Sequence, residues 1–159
     1  MPPTRTLDEV ADAIVRMPLD EGPKDSHVSL RQATGYMDRR GEINVDALYA
    51  RLSADEHLVD AWQTWVEDQR STPNWYFRTL DSGRFEVGLF DRQGRPSNVQ
   101  VFDDRARACA EYLRHEIDST AEAIDVWSRP WRLVPEIIGW FWEEFRDARD
   151  RRRRRRLDR

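Results

Sequence analysis

The stretch Trp75-Tyr-Phe-Arg-Thr-Leu80-Asp-Ser-Gly-Arg84-Phe-Glu-Val-Gly-Leu-Phe90-Asp-Arg-Gln-Gly94-Arg-Pro-Ser-Asn98-Val-Gln-Val-Phe102 decides the fold. Residues 75–80, 85–90 and 98–102 alternate apolar and polar side chains with the period of a half-buried strand. Between them lie Asp81-Ser-Gly-Arg84 and Asp91-Arg-Gln-Gly94, whose residue types favour tight turns. A three-stranded antiparallel meander is the natural reading. Phe85, Val87 and Leu89 share one face, as do Trp75 and Phe77, and Phe90 lies on the other.

On either side the period becomes helical. Ser53-Ala-Asp-Glu56 reads as a capping box opening a helix to about Gln69, with Leu58, Val59, Trp62, Trp65 and Val66 as its apolar stripe. After the strands, Asp103 or Asp104 caps a helix to about Asp118, lined by Ala106, Cys109, Ala110, Leu113 and Ile117. So small a sheet must bury one face against helices, which predicts an α+β fold with its core over 53–118. Further helices are expected before it. Thr6 and Glu9 form a capping box for a helix carrying Leu7, Val10, Ala11, Ile14 and Met17 and stopped by Pro18. Residues 18–25 read as a loop, 26–34 as a short helix ending at Gly35, and Asn44 caps another through Leu52. Residues 1–118 are expected to form the α+β domain. Residues 119–148 should form a helical extension, with a short helix and a bend over 120–134 and a final helix from Pro135. Residues 149–159 form an arginine-rich tail.

The chain has 159 residues, 30 acidic and 26 basic, for a net charge of −4. All but Lys24 of the basic residues are arginine. Residues 146–159 carry nine arginines and three aspartates, a local +6 that leaves −10 on residues 1–145. An acidic body with a basic end is the main electrostatic fact. With no apolar run near 18 residues and a start of Met-Pro-Pro-Thr-Arg, the chain is expected neither to span a membrane nor to carry a signal peptide. One cysteine rules out an internal disulfide and a cysteine-built zinc site, and suits a cytoplasmic protein.

Nucleophile, metal and phosphate signatures are missing from the sequence. His27, His57 and His115 lie far apart on different expected elements. Cys109 and His115 point to different sides of one helix, and Cys109 reads as a buried small hydrophobe. Glu111 and His115 read as a solvated i,i+4 contact. No glycine pattern makes a phosphate cradle or a nucleophile elbow. The expectation is therefore a protein that is not an enzyme, with no metal and no cofactor.

The residues Trp65 to Phe77, Phe85-Glu-Val-Gly-Leu-Phe90, Val101-Phe-Asp-Asp104 and Ala108-Cys-Ala-Glu-Tyr-Leu113 resemble small bacterial proteins of unassigned function. They are similar in style to immunity proteins of polymorphic toxin systems, in which a short meander turns through Phe-Asp/Ser-Asp/Glu into an Ala-Cys-rich helix. The resemblance covers residues 53–118. It implies a cytoplasmic inhibitor that holds a basic toxin domain through an acidic surface, and it brings no catalytic residue. On that reading Glu67, Asp68, Asp103 and Asp104 are the partner-binding acids.

Two other partners enter the comparison. Helix–β–β–β–helix is also the order of a double-stranded-RNA-binding domain, with Arg105 and Arg107 opening the last helix. Residues 53–118 nevertheless hold 13 acids against 8 arginines, which repels a polyanion. The alternative function is nucleic-acid association through Arg151, Arg152, Arg153, Arg154, Arg155 and Arg156, a run that could equally meet an anionic membrane or stay solvated.

Overall fold

The computed structural model describes residues 5–20, 31, 33–67 and 74–128. The chain divides into a unit of residues 1–121 and a second of residues 122–159. Its elements run α1 (Leu7–Asp20), a 3-10 turn (Tyr36–Arg39), α2 (Val45–Ala54), α3 (Glu56–Glu67), β1 (Asn74–Thr79), β2 (Phe85–Phe90), β3 (Pro96–Phe102) and α4 (Arg105–Ser128). This is the α+β architecture that the strand and helix periods require, with the sheet in the order β1-β2-β3 and both pairings antiparallel.

Both hairpins close in the same way. The Gly83 amide donates to the Leu80 carbonyl at 2.9 Å, and the Leu80 amide donates to Arg84 at 2.8 Å. Gly94 and the Asp91/Arg95 pair repeat the pattern at 2.9 and 3.0 Å. The third loop residue must then be left-handed, and Gly83 and Gly94 sit at φ 78° and 73°. In β3, Asn98 at φ 50° forms a bulge, because Val87 pairs with Gln100 but Leu89 pairs with Ser97.

Trp62 stands at the centre of the core with no solvent exposure, edge-on to Tyr112 and to Trp65. Leu58, Val59 and Val66 flank it on α3. Phe77 and Val87 of the sheet, Leu113 and Ile117 of α4, and Ile14 and Leu48 of α1 and α2 belong to the same core. The Trp62 indole N–H donates to the Val15 carbonyl at 2.9 Å, so the one polar atom of the ring is satisfied inside the core. Trp65, Trp75 and Phe77 likewise pack into or against this core, as a helical aromatic stripe and one strand face should.

Two expected caps are seen ahead of the sheet. The Glu9 amide donates to Thr6 Oγ1 at 3.2 Å and the Thr6 amide to Glu9 Oε2 at 2.7 Å, while the Ala47 amide donates to Asn44 Oδ1 at 2.8 Å. Three expected boundaries need correction. Pro18 does not stop α1, which runs on to Asp20. A proline loses its bond to the residue four before it, here Ile14, and crowds that carbonyl, but with only two residues of helix after it little is at stake. Ser53 does not cap α3. It belongs to the end of α2, donating its hydroxyl to the Ala50 carbonyl, and the extended Asp55 accepts the His57 amide at 3.0 Å instead. Nor does the last described helix end near Asp118. It continues unbroken to Ser128, since no glycine or proline interrupts residues 105–128. Within it Thr120 donates its hydroxyl back to the Glu116 carbonyl at 3.0 Å, which satisfies the hydroxyl without ending the helix. Most of the helix expected at 26–34 lies outside the described residues, as do residues 68–69 of the helix expected to reach Gln69 and, beyond Ser128, the rest of the expected bend, final helix and tail.

On the outer face of the sheet Tyr76 lies across Gly88, stacked on Phe90 at 4.2 Å and donating to Glu86 Oε1 at 2.8 Å. Arg78 covers the ring and pairs with the same carboxylate at 2.6 Å. A Cβ on Gly88 would sit 2.5 Å from the Tyr76 hydroxyl oxygen. Gly88→Ala is therefore expected to displace the phenol and break its bond to Glu86. The loss should be about 1–3 kcal/mol in urea unfolding, with the m-value unchanged.

Candidate functional site

The turn from β3 into α4 gathers charge from four parts of the fold. Asp104 is the N-cap of α4: the Arg107 amide donates to its Oδ1 at 3.1 Å, and its backbone carbonyl accepts from Ala108 at 3.0 Å. The Tyr49 hydroxyl of α2 donates to its other oxygen at 2.7 Å. Burial pushes the Asp104 carboxyl up, but the Tyr49 hydroxyl, the amides of Arg107 and Ala106 and the Arg107 guanidinium together hold it below the usual carboxylate range. The same hydrogen bond and charge raise Tyr49. Asp103, next to it, is 86% exposed and pairs with Arg84 of the first hairpin at 2.7 Å.

The arginines that open α4 reach back to the helices. Arg105 joins Asp60 of α3 at 2.7 Å and Gln63 at 2.6 Å. Arg107 joins Asp46 of α2, lies over the Tyr49 ring and reaches Glu111 at 3.6 Å. Asp46 and Asp60 keep 80% and 57% of their side-chain surface exposed. The corner thus presents four carboxylates whose positions are set by three guanidiniums and a phenol. Each exposed ion pair contributes little to stability, but together they hold the side chains in place.

Asp103 and Asp104 are thus brought into one surface with Asp46 and Asp60, which the sequence reading missed. Nothing in the spacing of Asp46, Tyr49 and Asp60 marks them, because they meet the corner only when α2 and α3 pack beside α4. Glu67 is exposed on the last turn of α3, on a separate element. Asp68 and Arg151 to Arg156 lie outside the described residues. Arg105 and Arg107, aligned above with an RNA-binding helix start, are both engaged by carboxylates.

A second polar group lies further along α4. His115 stacks on Trp75 with ring centres 3.8 Å apart, and the Trp75 indole donates to Ser119 Oγ at 3.0 Å. The expected solvated Glu111–His115 contact is replaced by this stack, while Glu111 pairs with Arg107 and with Arg114 at 3.6 and 3.5 Å. Aromatic stacking removes more surface from water than an exposed ion pair could repay. Arg31, almost fully buried, joins Glu116 at 2.6 Å, and the Tyr36 hydroxyl donates to Asp118. Cys109 is fully buried, and burial pushes its thiol far up, so it is no nucleophile at neutral pH. Among the described residues no group of three His, Cys, Asp or Glu could hold a metal ion, and no helix is long and apolar enough to cross a membrane.

Asp104→Ala removes the α4 cap and is expected to cost about 1 kcal/mol (0.5–2), whereas Asp104→Asn keeps most of the cap. Asp103→Ala should stay within about 0.5 kcal/mol of the parent in urea melts. Burial, then the Arg114 charge, lowers the His115 pKa below its ordinary 6.5. A depressed pKa means that the unfolded chain binds the proton more tightly. The contribution is therefore complete above about pH 6.5 and is lost as pH falls through the lowered folded value. His115→Phe should flatten that acid-side slope in thermal melts taken from neutral to mildly acidic pH.

No protein-family model matches this chain, and no curated protein or solved structure matches it.

Proposed function

We propose that this protein is a non-enzymatic protein-binding module whose recognition surface is the corner at the start of α4, as an immunity protein would use to neutralise a basic toxin domain. The observation that carries the reading is the set of exposed carboxylates of Asp46, Asp60, Asp103 and Asp104, drawn from three parts of the chain and held by Arg84, Arg105 and Arg107. Side chains already held in place lose little entropy on binding, and a cationic partner can exchange its own guanidinium or ammonium groups for the local arginines. The corner is a pattern of both signs rather than a block of negative charge. That favours a specific partner over general attraction to cations. The −10 carried by residues 1–145 would add long-range steering. Glu67 and Asp68 belong to this reading as a second acidic element that enlarges the partner footprint. The rival reading, association with nucleic acid through Arg151 to Arg156, rests on the charge of that run alone.

Tagged full-length chain, captured from host lysate with and without nuclease, separates the two. A stoichiometric protein retained after nuclease, and retained by a chain ending at residue 148, supports the corner. Recovery of nucleic acid alone, lost with the tail, overturns it. With the partner in hand, Asp103→Asn with Asp104→Asn removes two charges while leaving an amide cap. Association should slow roughly threefold or more at low ionic strength and lose part of its salt dependence. Unchanged association would place the interface elsewhere.

A further inference from the structure

Along α4 charged side chains form a row of alternating sign. Arg107 lies 3.6 Å from Glu111, Glu111 lies 3.5 Å from Arg114, and Arg114 lies 3.9 Å from Asp118. Their spacing of four, three and four residues puts them on one face of the helix. Each end of the row is tied to another element. Arg107 pairs with Asp46 and covers Tyr49 in the corner, and Asp118 accepts the Tyr36 hydroxyl from the 3-10 turn.

His115 joins the row through Arg114, whose Nη2 lies 3.3 Å from the imidazole Nε2. A guanidinium offers only N–H donors, so Nε2 must accept. The ring is then neutral and carries its proton on Nδ1. Its face is taken by the uncharged indole of Trp75 on β1, whose N–H is already given to Ser119. Among the described residues the charges bearing on the ring are those of Arg114, Glu111 and Asp118, while Glu116, next along the helix, pairs with Arg31. Burial and the Arg114 charge oppose a second proton, Glu111 and Asp118 favour one, and the first two prevail.

We propose that His115 is a proton-operated switch on this row: neutral, it holds Arg114, and protonated at Nε2 it releases Arg114 to Asp118 and Glu111. Two N–H groups cannot share the line between Nε2 and Nη2, and two positive charges would meet there. The carboxylates at 3.9 and 3.5 Å are within a side-chain rotation of the freed guanidinium. The imidazolium stays on the indole, because a cation is attracted to that face. Glu111 then serves both Arg114 and a charged ring four residues on, and its hold on Arg107 weakens. Arg107 is left to Asp46 and Tyr49, so acid draws a cation further into the corner and lowers the negative charge offered to a basic partner. This effect at the corner rests on the protein-binding reading, whereas the exchange of Arg114 stands without it.

Nitrogen-15 NMR of the labelled full chain tests both steps. At about pH 8 His115 should carry its proton on Nδ1, the reverse of the tautomer that free histidine favours. As the pH falls toward about 5, the Arg114 Nε–H signal should move with the His115 midpoint, and the Arg107 signal with it. Arg114→Met should return the ring to the Nε2–H tautomer and raise its midpoint. His115→Phe, which keeps an aromatic ring beside Trp75, should abolish the movement of both arginine signals, and Glu111→Gln that of Arg107 alone. A parent ring protonated on Nε2, an Arg114 signal that does not follow it, or an Arg114→Met ring unchanged in tautomer and midpoint would each overturn the switch. An Arg107 signal indifferent to His115 would overturn its reach to the corner. None of these outcomes bears on whether the corner holds a partner, which the capture experiment decides.

Discussion

An indole buried without solvent contact must find an acceptor for its N–H, and around that constraint the described fold is arranged. Trp62 meets it through the Val15 carbonyl, which ties α3 to α1 at one point and fixes how the two helices lie. The ring is then edge-on to Tyr112, and Tyr112 is in turn stacked near Phe77. One side chain thereby sets the contacts of two helices and a strand. The Tyr112 contact brings α4 across the sheet in the orientation that delivers its N-terminus to α2 and α3.

The corner at Asp103 and Asp104 follows from that packing. A helix starting beside two others finds their polar edges, and Arg105 and Arg107 are long enough to span the gap. The arginines open a helix whose N-terminus already disfavours positive charge. Their carboxylate partners offset that penalty. The result is a surface of alternating sign in fixed positions, and such a surface distinguishes one partner from another better than it attracts cations in general. Within that surface Asp103 connects the end of β3 to the helix cap at Asp104.

Much of the fold was legible in the residues. The period of two over 75–80 and 85–90, the Asp-Ser-Gly turn and the capping pairs at Thr6 and Asn44 are local signals, each decided by the residue's own neighbours. Where such reading missed, the competing force was not local or was only slightly so. Pro18 near a helix end cost too little to stop it. The capping box at Ser53 yielded because α2 extended through Ala54 and left Asp55 as the first extended residue. The join at Ser119 stayed helical because no glycine or proline interrupts residues 105–128, so nothing local ended the helix there.

The candidate site was half legible for the same reason. Asp104 is visible because a carboxylate before a helical run is a cap, and capping depends on only three or four residues. Asp46, Tyr49 and Asp60 were not, since their roles exist only where helices separated by tens of residues come together. Sequence by itself determined the meander, the helices around it, the turns and the acidic body, all of which follow from backbone preference, side-chain period and charge count. Tertiary structure alone decided which carboxylates share a surface and that His115 stacks on Trp75. Those outcomes depend on distances between chain segments that no local pattern encodes.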